Sequence, residues 1–123
     1  MPTDKLIRKP KEAEILSAII YVLDVYFKLG HLDYHRISTT GIPTQSGKFR
    51  PNKAKGFPDL LVWLVNGIDL YVEVKSETGV LSESQLKFQE RAKKMKRHYI
   101  VVRSVEDFTN WLQLYLWQKN PVT

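Results

Sequence analysis

LLVWLVNGIDLYVEVK, residues 60–75, is the stretch on which the fold turns. Two runs rich in β-branched and aromatic residues flank Asn66-Gly67, which predicts two antiparallel strands joined by a tight hairpin. In the second run Ile68, Leu70, Val72 and Val74 are apolar, while Asp69, Tyr71, Glu73 and Lys75 alternate with them. Side chains on a strand point to opposite faces in turn, so Glu73 and Lys75 project together. The first run is apolar throughout and does not orient itself, so its register rests on the connection. A strict two-residue turn sets Asp59 opposite Val74, away from Glu73. A three- or five-residue connection, or one bulge, sets Asp59 opposite Glu73 and matches Leu60, Val62 and Leu64 with Val72, Leu70 and Ile68. The second register is the expectation.

Working outward, Ile15, Ile19, Val22, Leu23 and Tyr26 recur at helical spacing between Pro10 and Leu29, with Gly30 as a stop. Tyr34 to Thr39 has strand character, and Gly41 to Gly56 reads as a long basic loop. Ser82 followed by Gln85 resembles a capping box opening a helix to about Arg97. Tyr99 to Arg103 is a short apolar strand, and Ser104 caps a last helix in which Phe108, Leu112, Tyr115 and Leu116 share a side. A hairpin followed by a strand-helix-strand crossover implies an α/β fold with a mixed sheet flanked by helices. With 123 residues, 43% of them apolar, and no repeat or linker, one domain spanning 1–123 is expected.

Lysine and arginine outnumber aspartate and glutamate 19 to 13, giving a net charge of +6 and a pI near 9.6, which favours an anionic partner. There are no cysteines, so disulfides and thiolate metal sites are excluded. The most apolar stretch, Ile15 to Leu29, is too short and too charged to span a bilayer, and no signal peptide is visible, so an intracellular, cytoplasmic protein is expected.

Asp59 and Glu73 converging at one end of a hairpin make a hard oxygen site suited to Mg²⁺ or Mn²⁺. Lys75 beside them is placed to stabilise negative charge on a phosphodiester. An isolated Glu-x-Lys is more often a surface ion pair. Here it stands within a longer set: Gly56-Phe57-Pro58-Asp59, then Val72-Glu73-Val74-Lys75-Ser76, then GVLSESQ at 79–85 and YIVVRS at 99–104. The set resembles the VRR-NUC family of the PD-(D/E)XK nucleases, whose pattern is Gly-x-Pro-Asp, Glu-Val-Lys, Leu-Ser-x-x-Gln and Val-Val-Arg-Ser. The resemblance runs from about Lys11 to Trp111.

The resemblance implies a restriction-endonuclease-like core and metal binding by Asp59, Glu73 and the backbone carbonyl of Val74, with Lys75 in catalysis. It also implies a glutamate on the first helix, for which Glu12, three residues before Ile15, fits the core-facing stripe better than Glu14; a favourable charge at a helix N-terminus explains either one structurally. Gln85 matches the family's glutamine, yet its place in the capping box gives it a purely structural reading too. Arg36 offers a phosphate contact or a solvated surface charge. Lys48, Arg50, Lys53 and Lys55 in the loop before Asp59, ahead of Lys93, Lys94, Lys96 and Arg97, are candidate contacts to a nucleic-acid backbone.

The implied activity is a structure-selective DNA endonuclease dependent on Mg²⁺ or Mn²⁺ and serving DNA repair or recombination. Stand-alone members of the family resemble phage and bacterial proteins that act on branched DNA such as four-way junctions, often as homodimers, so a junction-resolvase-like dimer is the expectation. A monomeric flap- or end-directed nuclease and a silent nucleic-acid-binding module are the alternatives. Dimer stoichiometry separates the first, and metal affinity the second. Trp111 to Trp117 form an aromatic helix end, read as core before self-association surface.

Overall fold

The computed structural model describes residues 8–37, the backbone of 42–43 and 49–50, and residues 55–118. Helix α1, Glu12–Lys28, buries Ile15, Ile19 and Leu23, spaced four apart so that they stack on one side of the helix. Its acidic first turn and Lys28 in the last complement the helix dipole. Gly30, at φ +81°, turns the chain into strand β1, Leu32–Arg36.

Two short strands follow, β2 (Ile42–Pro43) and β3 (Phe49–Arg50), paired with each other inside the expected loop. Two-residue strands are too short to show an alternation. The expected strand from Tyr34 begins two residues earlier, and its last two residues, 38 and 39, lie outside the described residues.

The hairpin comprises β4, Leu60–Leu64, and β5, Asp69–Val74, with Leu60 opposite Val72 and Val62 opposite Leu70. The Leu64 and Ile68 backbones close it through a 2.8 Å bond, so Val65, Asn66 and Gly67 form a three-residue connection. Gly67 takes φ +91°, the left-handed position of a three-residue hairpin. The Asn66 side chain also donates to the carbonyls of Tyr115 and Gln118, tying the turn to the chain's last helix. The expected register is the one observed.

Helix α2, Glu83–Lys94, carries a full capping box from Ser82 and Gln85. It ends before Arg97 because Lys96 adopts φ +56° while the Arg97 N–H returns to the Ala92 carbonyl. A lysine in the place usually held by glycine gives no stop signal. Strand β6, His98–Val102, runs parallel to β5, as a crossover through a helix requires. Helix α3, Val105–Leu116, is capped by the Ser104 hydroxyl, which accepts from the Asp107 N–H at 2.9 Å.

The main sheet has the order β1-β4-β5-β6, mixed in sense. Helices α1 and α3 pack together on one face, over Leu60, Val62, Leu70, Val72, Ile100 and Val102. Helix α2 covers part of the other face, where Phe88 meets Phe57, Tyr71 and Tyr99. Burying the even residues of β5 against α1 and α3 therefore sends its odd residues, Glu73 included, toward the α2 side, and Lys75, one residue past its end, follows the same alternation. No described helix is long and apolar enough to cross a membrane. In α3, Leu112 is buried and Tyr115 and Leu116 pack on the core, whereas Trp111 and Trp117 are exposed.

Candidate active site

Continuing the hairpin register by one residue brings Asp59 opposite Glu73, and by two brings Pro58 opposite Val74. Antiparallel pairs alternate, and the Leu64–Ile68 bond makes Pro58–Val74 a position where two bonds are normally exchanged. Proline has no N–H, so it leaves the Val74 carbonyl without its ladder donor. The Val74 N–H is taken by the Asp59 carboxylate, Oδ2 accepting at 2.7 Å. One motif residue thus frees a backbone oxygen, and the next ties its own carboxylate to the same peptide. The Ile37 N–H bonds the Asp59 carbonyl at 2.9 Å and fixes the strand entry from its other side.

Glu73 and Lys75 are the buried charged residues of the described chain, 1% and 9% exposed. Glu73 Oε1 accepts from Gln85 Nε2 at 2.8 Å and lies 4.0 Å from Lys75 Nζ. Its other oxygen, Oε2, is buried with no partner. Burial first, and then the neighbouring Asp59 charge, push the Glu73 carboxyl up to about 8; Lys75 pulls the other way. An unpartnered buried carboxylate oxygen is costly unless a cation or donor meets it. That orphan oxygen, the adjacent Asp59 and the released Val74 carbonyl form a hard donor set. Mg²⁺ is ordinarily held by one or two carboxylates, with waters and substrate phosphates completing the shell, so the residues fit such an ion.

Gln85 uses the two ends of its amide separately. Its Oε1 accepts from the Ser82 N–H at 2.8 Å, closing the capping box, which leaves the amide nitrogen to face Glu73. Gly56 sets how closely the site's two halves approach. A Cβ there would lie 2.4 Å from the Ser84 carbonyl oxygen, so the chain entering β4 and the start of α2 touch through backbone. Glu12 begins α1 and is exposed, but its charge acts on Glu73, raising its pKa. Glu14 instead pairs with Arg8 at 2.7 Å. Among the described residues no group of three or more acidic or histidine side chains converges as a metal cluster.

The sequence pattern of the VRR-NUC domain family matches residues 41–106, more than half of the chain. The chain belongs to the VRR-NUC family. It is therefore a nuclease-type domain, and its substrate class is nucleic acid. A solved VRR-NUC domain shares the fold, with a TM-score of 0.61 at 23% identity, covering 85% of this chain and 96% of the other. No curated protein matches the chain.

In this VRR-NUC chain the family pattern takes in Asp59, Glu73, Lys75, Gln85 and the basic loop, and leaves Glu12 and Arg36 outside it. Arg36 ends β1 opposite Leu60, so alternation sends its side chain to the α1 face, away from the Glu73 carboxylate. Lys55 is exposed one residue before Gly56. Lys48 and Lys53 lie outside the described residues, and of Arg50 only the backbone in β3 is described. On α2, Lys94 pairs with Glu90 at 3.9 Å, while Lys93 and Arg97 line a hollow of about 500 Å³ with Leu86, Gln89, Glu90 and Tyr99.

Tyr99, which its sequence context marks only as part of a strand, also stands close to the site. Its hydroxyl is buried without a partner, and burial, then Glu73 and Asp59, raise its pKa. That proximity depends on the parallel pairing of β5 with β6, which no local pattern around Tyr99 reveals.

Proposed function

We propose that this chain is a structure-selective DNA endonuclease that requires Mg²⁺ or Mn²⁺ and resolves branched DNA in the manner of a Holliday-junction resolvase. The observation that carries the proposal is Glu73: fully buried, held on one oxygen by Gln85, unpartnered on the other, and set opposite Asp59. Asp59, Glu73 and the Val74 carbonyl hold the ion. When bound, it supplies positive charge to a phosphodiester oxygen and makes a nearby water more acidic.

The chain's own groups do the rest. The Val74 N–H orients the Asp59 carboxylate, and Gln85 fixes the rotamer of Glu73, so both acids are set before substrate arrives. Lys75 brings an ammonium, held in low-dielectric surroundings, to the negative charge that grows on the phosphate as the P–O bond breaks. The Glu12 charge adds to the negative potential that draws a cation to the site. Lys55, with Lys48, Arg50 and Lys53, contacts the DNA backbone. The preference for branched DNA and the homodimer rest on the resemblance to stand-alone members of the family.

Cleavage of labelled duplex, single-stranded, flap and four-way-junction DNA with Mg²⁺ or Mn²⁺, combined with sedimentation of the protein, tests the proposal. Paired symmetric nicks at the junction from a dimer, absent in Asp59→Ala, are expected. Cutting confined to flaps or ends by a monomer overturns the resolvase reading.

A further inference from the structure

The Val-Val-Arg-Ser motif contains an arginine to which the site as described gives no task. Arg103 follows β6 directly, and its backbone N–H bonds Asp107 Oδ2 at 3.1 Å in the first turn of α3. Its Nη1 reaches across to the β5–α2 loop, donating to the Ser76 carbonyl at 2.8 Å and the Gly79 carbonyl at 2.6 Å, with Glu77 O at 3.4 Å. These carbonyls belong to a segment outside any helix or strand, where a cationic donor makes charge-assisted bonds stronger than neutral ones.

The loop held in this way joins two residues of the site. Lys75 lies at its start and is tied to β6 by its N–H to the Val102 carbonyl at 3.0 Å; the capping box with Gln85 lies at its end. The loop also turns back on itself, with the Gly79 N–H bonded to Ser76 Oγ at 3.1 Å. It lies against Lys75, since a Cβ on Gly79 would fall 3.6 Å from Lys75 Cδ. Any spreading of the loop would therefore move the lysine stem and the start of α2 relative to one another. Both meet at Glu73 Oε1.

We infer that Arg103 is a positioning residue: by clamping the Ser76 to Gly79 carbonyls it fixes Lys75 and Gln85 against Glu73, without touching the substrate. Its kinetic consequence rests on the nuclease reading, but its structural consequence does not. Arg103→Ala and Arg103→Gln are compared with wild type by amide hydrogen exchange and by cleavage kinetics, with and without added guanidinium ion. The Gln variant serves if the Ala variant does not fold. Exchange at Gly79 and its loop neighbours is expected to rise while amides of β5 and β6 keep their protection. The kcat is expected to fall roughly ten- to hundredfold, as misplacement of catalytic groups by about 1 Å does. KM and the salt dependence of binding stay near wild type, and guanidinium restores part of kcat.

Unchanged loop exchange in a folded variant overturns the inference, whether or not the protein cuts DNA. A raised KM with kcat preserved and a shallower salt dependence also overturns it, making Arg103 a phosphate contact instead. A wild type without nuclease activity would count against the function proposed above and leave the exchange result to decide the role of Arg103.

Discussion

Glu73 holds its proton more tightly in the folded chain, at about 8, than the 4.5 of an ordinary glutamate. Its contribution to stability is therefore complete below about 4.5 and is lost as the pH rises through about 8. The metal-free protein should melt at a lower temperature at pH 8 than at pH 5. Glu73→Gln, which removes the titration, should flatten that difference and raise the melting temperature at pH 8 by roughly 5 °C or more. Calorimetric melts in chelator at the two pH values read this directly, and a wild type and variant with the same pH slope would contradict it. Lys75→Ala should leave DNA binding nearly intact while lowering kcat by about 10² to 10³, the scale set by loss of one positioned electrostatic group. Single-turnover cleavage beside a binding isotherm separates these effects. Strand alternation makes Glu73 and Lys75 legible on one face, but Asp59 opposite Glu73 also needs an odd-length connection or a bulge, which the Asn66-Gly67 signal alone does not supply. The capping box of Gln85 was legible too; its bond to Glu73 was not, because that depends on how α2 lies over the sheet.

At the scale of elements, the hairpin connection carries the site. Deleting Val65 would leave a two-residue Asn66-Gly67 turn with Leu64 still opposite Ile68 and Asp59 still opposite Glu73, so a folded deletion variant should keep its secondary structure and its activity, as circular dichroism and cleavage together would show. The approach of β4 to α2 is more demanding. Gly56→Ala places a methyl group against the Ser84 carbonyl at a φ of +86°, and should destabilise the protein by more than about 1 kcal/mol in urea denaturation. The long elements were readable because each repeats its period several times. The end of α2 was not, since Lys96 enters the left-handed region without a glycine, and neither were β2 and β3, which are too short to carry a pattern.

Across the whole molecule, one pole of the sheet gathers Asp59, Glu73, Lys75 and the loop held by Arg103, and the hairpin turn lies at the other. This polarity follows from motifs spread over more than forty residues, from Gly56 to Ser104, and meeting only through the strand order β4-β5-β6. A net charge of +6 implies that DNA binding weakens steeply with salt, by roughly tenfold or more between 50 and 200 mM. Cation-dependent hydrolysis at Asp59 and Glu73 is tested by cleavage of a labelled four-way junction by the purified chain, with and without Mn²⁺, beside Asp59→Asn and Glu73→Gln. Cutting by wild type only with the ion, and by neither variant, is the predicted result. Cleavage that persists in chelator or in either variant, or none by a folded wild type with Mn²⁺, would contradict it.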